Sequence, residues 1–311
     1  MRNRFAEELT KIAIENDDVV LLYGDIGNRL FDNFKKNLPN RSFNCGVAEP
    51  NMVGVAAGLA KTGFTPFVYT INTFLYLRAF EQIKLDVCYP RVPVIMVGTG
   101  SGLSYSELGT THHSLEDLGV LRQFPNLHIY APSSPDELAE VMHFAYVSKA
   151  PSYIRIGKKG EGELAKLESV LDNSSYFGPF YSSKSKEPDL VLISCGTISE
   201  NVSKSCNMLR DSGLQVDHIT QPQIAPLNDA ALSRIVSKYR NVITIEEHNS
   251  VGALSAIYSD LISKLQSGPN FTSISTPSSF HVGLGNLDEA REHLGLDPDS
   301  LANQVTALAK Q

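Results

Sequence analysis

The chain has few cysteines, and none is placed to hold a metal. Cys45, Cys88, Cys195 and Cys206 include no C-x-x-C pair and no histidine at ligand spacing. They read as buried core thiols in a reducing compartment, and Cys45 lacks the neighbouring histidine that would activate it as a nucleophile. No run of 18 apolar residues appears, so a membrane-spanning helix is not expected. The opening Met1-Arg-Asn-Arg-Phe-Ala-Glu-Glu8 lacks the apolar core of a signal peptide, and a cytoplasmic location is expected. A basic block is missing too. With a formal charge of −7, neither nucleic acid nor an anionic membrane is an expected partner. What remains is an ordinary globular composition over 311 residues, enough for two domains with their own cores.

Short apolar runs alternate with amphipathic stretches, the pattern of α/β folds with mostly parallel sheets. Phe5, Ala6, Leu9, Ile12 and Ala13 fall at helical spacing. Strands are expected at 18–24, 65–70, 92–97, 127–132 and 153–157, with helices over 74–86 and after a cap at Ser133 or Ser134. Residues 160–188, including Asn173-Ser-Ser175, read as a linker. Strands at 189–197, 215–220 and 241–246 and helices at 228–238 and 251–265 then repeat the alternation. The expectation is two three-layer α/β/α domains, residues 1–159 and 189–311.

The chemistry concentrates in Arg41-Ser-Phe-Asn-Cys-Gly-Val-Ala-Glu-Pro-Asn-Met-Val-Gly-Val-Ala-Ala-Gly-Leu-Ala60. A short extended piece ends at Gly46, and Glu49 then opens a helix with almost no polar side chain, which is expected to be buried. Gly54 and Gly58 share one face, and since a helical glycine costs ~1 kcal/mol, another backbone is expected to pack closely there. Glu49 has two readings. It is an acid favoured by the helix dipole, or a carboxyl stripped of water that shares a proton with a ring nitrogen.

A second stretch, Gly98 to Asp117, is a glycine-rich loop delivered by a strand and containing His112-His113. Such loops line the ligand-binding edge of parallel sheets, and a histidine there can exchange a proton with a substrate oxygen near neutral pH.

Gly46-Val-Ala-Glu-Pro-Asn-Met-Val-Gly-Val-Ala-Ala-Gly-Leu-Ala60 resembles the Gly-Ile-Ala-Glu-Gln-Asn-Met…Ala-Ala-Gly-Leu-Ala signature of the transketolase family of thiamine diphosphate enzymes. Gly109-Thr-Thr-His-His-Ser-Leu-Glu-Asp117 is similar to the family's Gly-x-Thr-His-Gln…Glu-Asp. The resemblance spans nearly the whole chain but only the family's second and third domains, a pyrimidine-binding domain and a C-terminal domain. It implies that Glu49 hydrogen-bonds N1′ of the cofactor's aminopyrimidine, so that the 4′-amino group becomes acidic enough to pass on the thiazolium proton. It also implies that Phe74 stacks on the pyrimidine, with Tyr76 as the alternative aromatic, that His112 and His113 meet substrate oxygens, and that Lys158 in Lys158-Lys159 holds a substrate phosphate as a point charge.

Departures accompany the matches. Leu108 and Gly100 stand where family members acting on pentose phosphates carry donor-contacting Asp and His, which leaves the donor open. The preceding Tyr-Ser-Glu offers other contacts. The family's Gly-Asp-Gly…Asn metal motif is missing: Ile26 follows Gly24-Asp25, and Asn51 belongs to the Glu49 helix. Asp25 is still expected to line the cofactor cleft. The diphosphate and its Mg²⁺ are therefore expected on a partner N-terminal subunit, in an α₂β₂ assembly in which this chain dimerises. The expected reaction is transfer of a two-carbon ketol unit between small sugars. A deoxyxylulose-phosphate-synthase-like or 2-oxoacid-dehydrogenase beta-type subunit is the alternative enzyme, and a catalytically silent scaffold is the alternative from another class. Glu246 and Glu247 have two readings, a pair that attracts a cation or, the favoured one, solvated acids at a strand end.

Overall fold

A computed structural model describes residues 1–309 except residues 28, 166, 167 and 171–174. Part of the expected linker, including Asn173, lies outside the described residues.

The strands in chain order are β1 (Val19–Tyr23), β2 (Ser42–Asn44), β3 (Thr65–Ile71), β4 (Ile95–Thr99), β5 (His128–Tyr130), β6 (Ser152–Ile156), β7 (Glu168–Ser169), β8 (Phe180–Ser183), β9 (Leu190–Ser194), β10 (Val216–Thr220), β11 (Gln223–Ala225), β12 (Asn241–Asn249) and β13 (Asn270–Thr276). They form a seven-stranded sheet in the order β11-β5-β6-β4-β3-β1-β2 and a six-stranded sheet in the order β13-β12-β9-β10-β8-β7. Most pairings are parallel. The exceptions are β11 on β5, β8 on β10 and β7 on β8.

Helices cover both faces of the first sheet, and β1 shows why its sequence is apolar throughout. Val20 and Leu22 enter one hydrophobic cluster while Val19, Leu21 and Tyr23 enter another, as alternating side chains of a doubly covered strand must. In the second sheet Val191 and Ile193 face one cluster and Leu190 and Leu192 the other. The fold is therefore two α/β domains, with both faces of these central strands buried.

The domains interlock. β11 follows β10 of the second sheet yet pairs with β5 of the first, Gln223 opposite Tyr130. The Ala131 N–H donates to the Pro222 carbonyl at 2.7 Å, and the Gly196 N–H to the Ala131 carbonyl at 3.0 Å. The stretch read as linker supplies β7 and β8.

Three local expectations change. The helix expected over 74–86 runs Asn72–Arg78, breaks at Ala79, resumes over Phe80–Gln82 and continues as a π-turn over Ile83–Cys88. The Glu49–Lys61 helix is buried on one side only: Asn51, Val55 and Gly58 are exposed, and a Cβ on Gly54 or Gly58 would meet nothing within 4 Å. Among the described residues no backbone packs closely against those glycines. Cys45 is half-buried rather than core, with burial raising its thiol pKa, while the other three cysteines are buried.

Candidate functional site

The C-terminal ends of β1, β2, β3, β4 and β6 all open on one edge of the first sheet. Ligands bind at such edges, where loops replace the ladder and leave room.

Glu49 is the first residue of its helix and only 3% exposed. Pro50 follows at a position where its missing N–H breaks no helical bond. The Arg78 guanidinium donates to Glu49 Oε2 at 2.9 Å, and Thr70 Oγ1, at the end of β3, donates to Oε1 at 3.4 Å. Phe74 is half-buried and one turn before Arg78, whose guanidinium carbon lies 4.1 Å from the Phe74 ring centroid. A carboxylate and an aromatic face are thus presented together, and both are met by one flat cation. A planar heterocycle with a protonatable edge nitrogen fits the same pair. Arg78 was not singled out by the sequence. The signal that could have found it was its spacing of four from Phe74 on one helix face.

His112 completes this corner. Its ring meets Phe74 edge-on at 5.1 Å and Tyr105 at 5.6 Å, and Nδ1 shares a hydrogen bond with Thr111 Oγ1 at 2.9 Å. Burial lowers its pKa first, and His113 and Arg78 lower it further. The imidazole is held neutral. His113 is buried, and its Nε2 lies 3.1 Å from the Ser106 carbonyl. A carbonyl can only accept, so Nε2 carries a proton, and the buried Nδ1 has no hydrogen-bond partner among the described residues.

Tyr105 explains one departure from the family pattern. A Cβ on Gly100 would collide with its ring, so no histidine side chain fits at position 100. Lys158, half-buried beyond β6, places Nζ 4.8 Å from the same ring. Lys158, Tyr105, His112 and Phe74 therefore form a continuous line of contacts. Asp25 lies exposed on the same edge, accepting from Asn44 Nδ2 at 3.0 Å.

Tyr76 does not belong to the site. It is 1% exposed and donates to Glu116 Oε2 at 3.2 Å, because two residues along a helix from Phe74 is the opposite side. Asn72, on the buried side, donates to Ser114 Oγ at 2.6 Å and Asp117 Oδ2 at 2.9 Å. Gly98 of β4 makes room for it, since a Cβ there would strike the Asn72 amide. Arg155 of β6 pairs with Asp117 at 3.3 Å and donates to the Ser114 carbonyl at 2.9 Å. This buried network fixes the loop that carries the histidines.

Glu246 and Glu247 are buried, contrary to the solvated reading. Glu246 accepts the N–H groups of Leu254 and Ser255, which open the helix Leu254–Ser263, and Glu247 pairs with Arg291 at 2.6 Å. No helix among the described residues is long and apolar enough to cross a membrane. Among the described residues no group of three or more His, Cys, Asp or Glu side chains is placed to hold a metal ion. Val47 and Val55, by and on the Glu49 helix, and Leu77, Phe80, Leu85 and Tyr89 of the segments after β3 are exposed large apolar side chains.

Comparison with known proteins matches residues 1–160 to the transketolase pyrimidine-binding domain and residues 182–301 to the transketolase C-terminal domain. The chain is similar to an apulose-4-phosphate transketolase subunit of Actinobacillus succinogenes, 32% identical over 88% of this chain and 87% of that one. The subunit of the same name from Phocaeicola vulgatus is 29% identical over 100% of this chain and 97% of that one. The 1-deoxy-D-xylulose-5-phosphate synthase of Dictyoglomus turgidum is 29% identical, with 88% of this chain matching 44% of the longer protein. Among solved structures, a split-gene transketolase described as an inactive beta4 tetramer superposes with a TM-score of 0.84, 25% identity and coverage of 98% of this chain and 96% of that one.

Proposed function

The chain belongs to the transketolase family, and from that premise we propose that it is the C-terminal subunit of a split transketolase, transferring a two-carbon ketol unit from a ketose phosphate to an aldose. The observation that carries this is the buried Glu49 carboxylate presented beside the Phe74 face. Thiamine diphosphate, when bound, supplies a carbon nucleophile able to break the bond beside a ketose carbonyl. Glu49 holds the proton at N1′ of its aminopyrimidine, where exclusion of water strengthens the hydrogen bond. Phe74 offers a stacking face. His112, neutral near pH 7, takes or returns a proton at a substrate oxygen, while His113, buried in this structure, supports the loop beside it through the Ser106 carbonyl. Lys158 meets the phosphate, and Asp25 lines the cofactor side of the cleft.

Mg²⁺ and the diphosphate are assigned to a partner N-terminal subunit, in an α₂β₂ complex. Two relatives of similar length are named as single subunits of a transketolase, and the chain matches 44% of a longer relative. The exposed Val55 and the open Gly58 on the outer side of the Glu49 helix suit burial against another chain. The names of the two apulose-4-phosphate transketolase subunits support a phosphorylated ketose as donor. The synthase relatives support a second reading, formation of a deoxyketose phosphate from a 2-oxoacid. Co-expression with the N-terminal subunit followed by product analysis separates them: ketol transfer with ketose donors is expected, and release of CO₂ from pyruvate favours the second. Alone, the chain is expected to turn nothing over, and robust transfer by the isolated chain contradicts the split-subunit reading.

A further inference from the structure

The break at Ala79 leaves Arg78 as the last residue of its helix, four after Phe74 and on the same face. From there its guanidinium reaches two groups at once. It donates to buried Glu49 at 2.9 Å and lies over the Phe74 ring at 4.1 Å.

We propose that Arg78 occupies the seat of the cofactor's aminopyrimidine while no cofactor is bound, in the assembled complex as in the chain alone, and that the cofactor enters by displacing it. The proposal rests on the reading of Glu49 and Phe74 given above. That seat is defined by a hydrogen bond to the Glu49 carboxylate and a stack on Phe74, and Arg78 makes both contacts. Two flat groups cannot share one ring face and one carboxylate oxygen. The exchange is matched in charge, because a protonated aminopyrimidine replaces a guanidinium and Glu49 is never left buried and unpaired, which would be costly. The movement is small as well. The Arg78 side chain is 44% exposed, so a rotamer change toward solvent vacates the seat without unfolding anything. Arg78 is thus a positioning residue that keeps Glu49 paired and aimed until the cofactor arrives.

A seat open in only a fraction of molecules weakens the apparent affinity by that fraction. The test is calorimetric titration of thiamine diphosphate with Mg²⁺ into the co-purified complex of this chain and its N-terminal subunit, comparing wild type, Arg78→Met and Glu49→Gln. Arg78→Met is expected to bind more tightly, by about ten-fold if the seat stands open about one-tenth of the time, with the gain in the association rate. Glu49→Gln is expected to bind more weakly. Unchanged or weaker binding by Arg78→Met, with Glu49→Gln still weakened, overturns the role of Arg78 alone. Unchanged binding by Glu49→Gln rejects the seat itself. Should a thermal melt show that Arg78→Met is unfolded, Arg78→Lys, which keeps the charge but cannot lie flat on Phe74, carries the test: a smaller tightening is expected, and none overturns the proposal.

Discussion

The Leu103 N–H of the first domain donates to Glu247 Oε1 of the second at 2.7 Å, while Arg291 Nε holds the other carboxylate oxygen at 2.6 Å. The contact fixes the start of the glycine-rich loop. Gly102, with φ +57°, passes so close to the Glu247 carboxylate that a Cβ would collide with it. Domain packing and the placement of His112 and His113 are therefore one problem.

Glu247→Ala strands the buried Arg291 guanidinium without its partner. A loss of about 3 kcal/mol is expected, since removing one member of a buried pair leaves an uncompensated charge. Chemical denaturation of the isolated chain measures it. A loss below about 1 kcal/mol, the range of solvent-exposed pairs, contradicts the role given to this contact.

His112 carries a pH prediction. Burial, then His113 and Arg78, hold its pKa below the ordinary 6.5, so the neutral ring persists on acidification past that point. Turnover of the assembled enzyme is expected to show its His112-dependent acid limb below pH 6.5, and His112→Gln is expected to abolish that limb. An acid limb centred above 6.5 and lost in the same variant contradicts the assignment.

His218 makes a separate test in the second domain. It is fully buried between Ser182 Oγ at 2.6 Å and Ser194 Oγ at 2.8 Å, and burial, then Arg210, pushes its pKa down to about 3. The unfolded chain binds this proton near 6.5 and the folded chain does not. The stability from the neutral ring is thus complete above pH 6.5 and lost progressively as pH falls toward 3. His218→Gln is expected to flatten the stability profile between those limits, and an unchanged slope contradicts the buried neutral ring.

Much of this architecture was legible because buried parallel strands are apolar throughout and their helices are periodic. The Glu49 helix and the histidine loop declared themselves by composition. What was hidden depends on contacts distant in sequence. The pairing of β11 with β5 joins strands about 95 residues apart, and no local pattern marks it. Glu246 and Glu247 look like solvated acids until the N-terminus of the Leu254–Ser263 helix and Arg291 arrive beside them. Tyr76 and Phe74 were separable only by helix phase, and the break at Ala79 obscured that phase. The glycine spacing of the Glu49 helix predicts a packing face, but among the described residues nothing packs closely there.

The central claim is that the Glu49 carboxylate activates a cofactor shared with another subunit. The most direct measurement is the rate of ketose cleavage by the co-purified complex with Glu49→Gln, which keeps the shape and a hydrogen bond but cannot exchange the proton. A loss of about a hundred-fold or more is expected, the usual weight of a positioned acid–base group, with assembly intact. A complex that cleaves ketose at the wild-type rate contradicts the account.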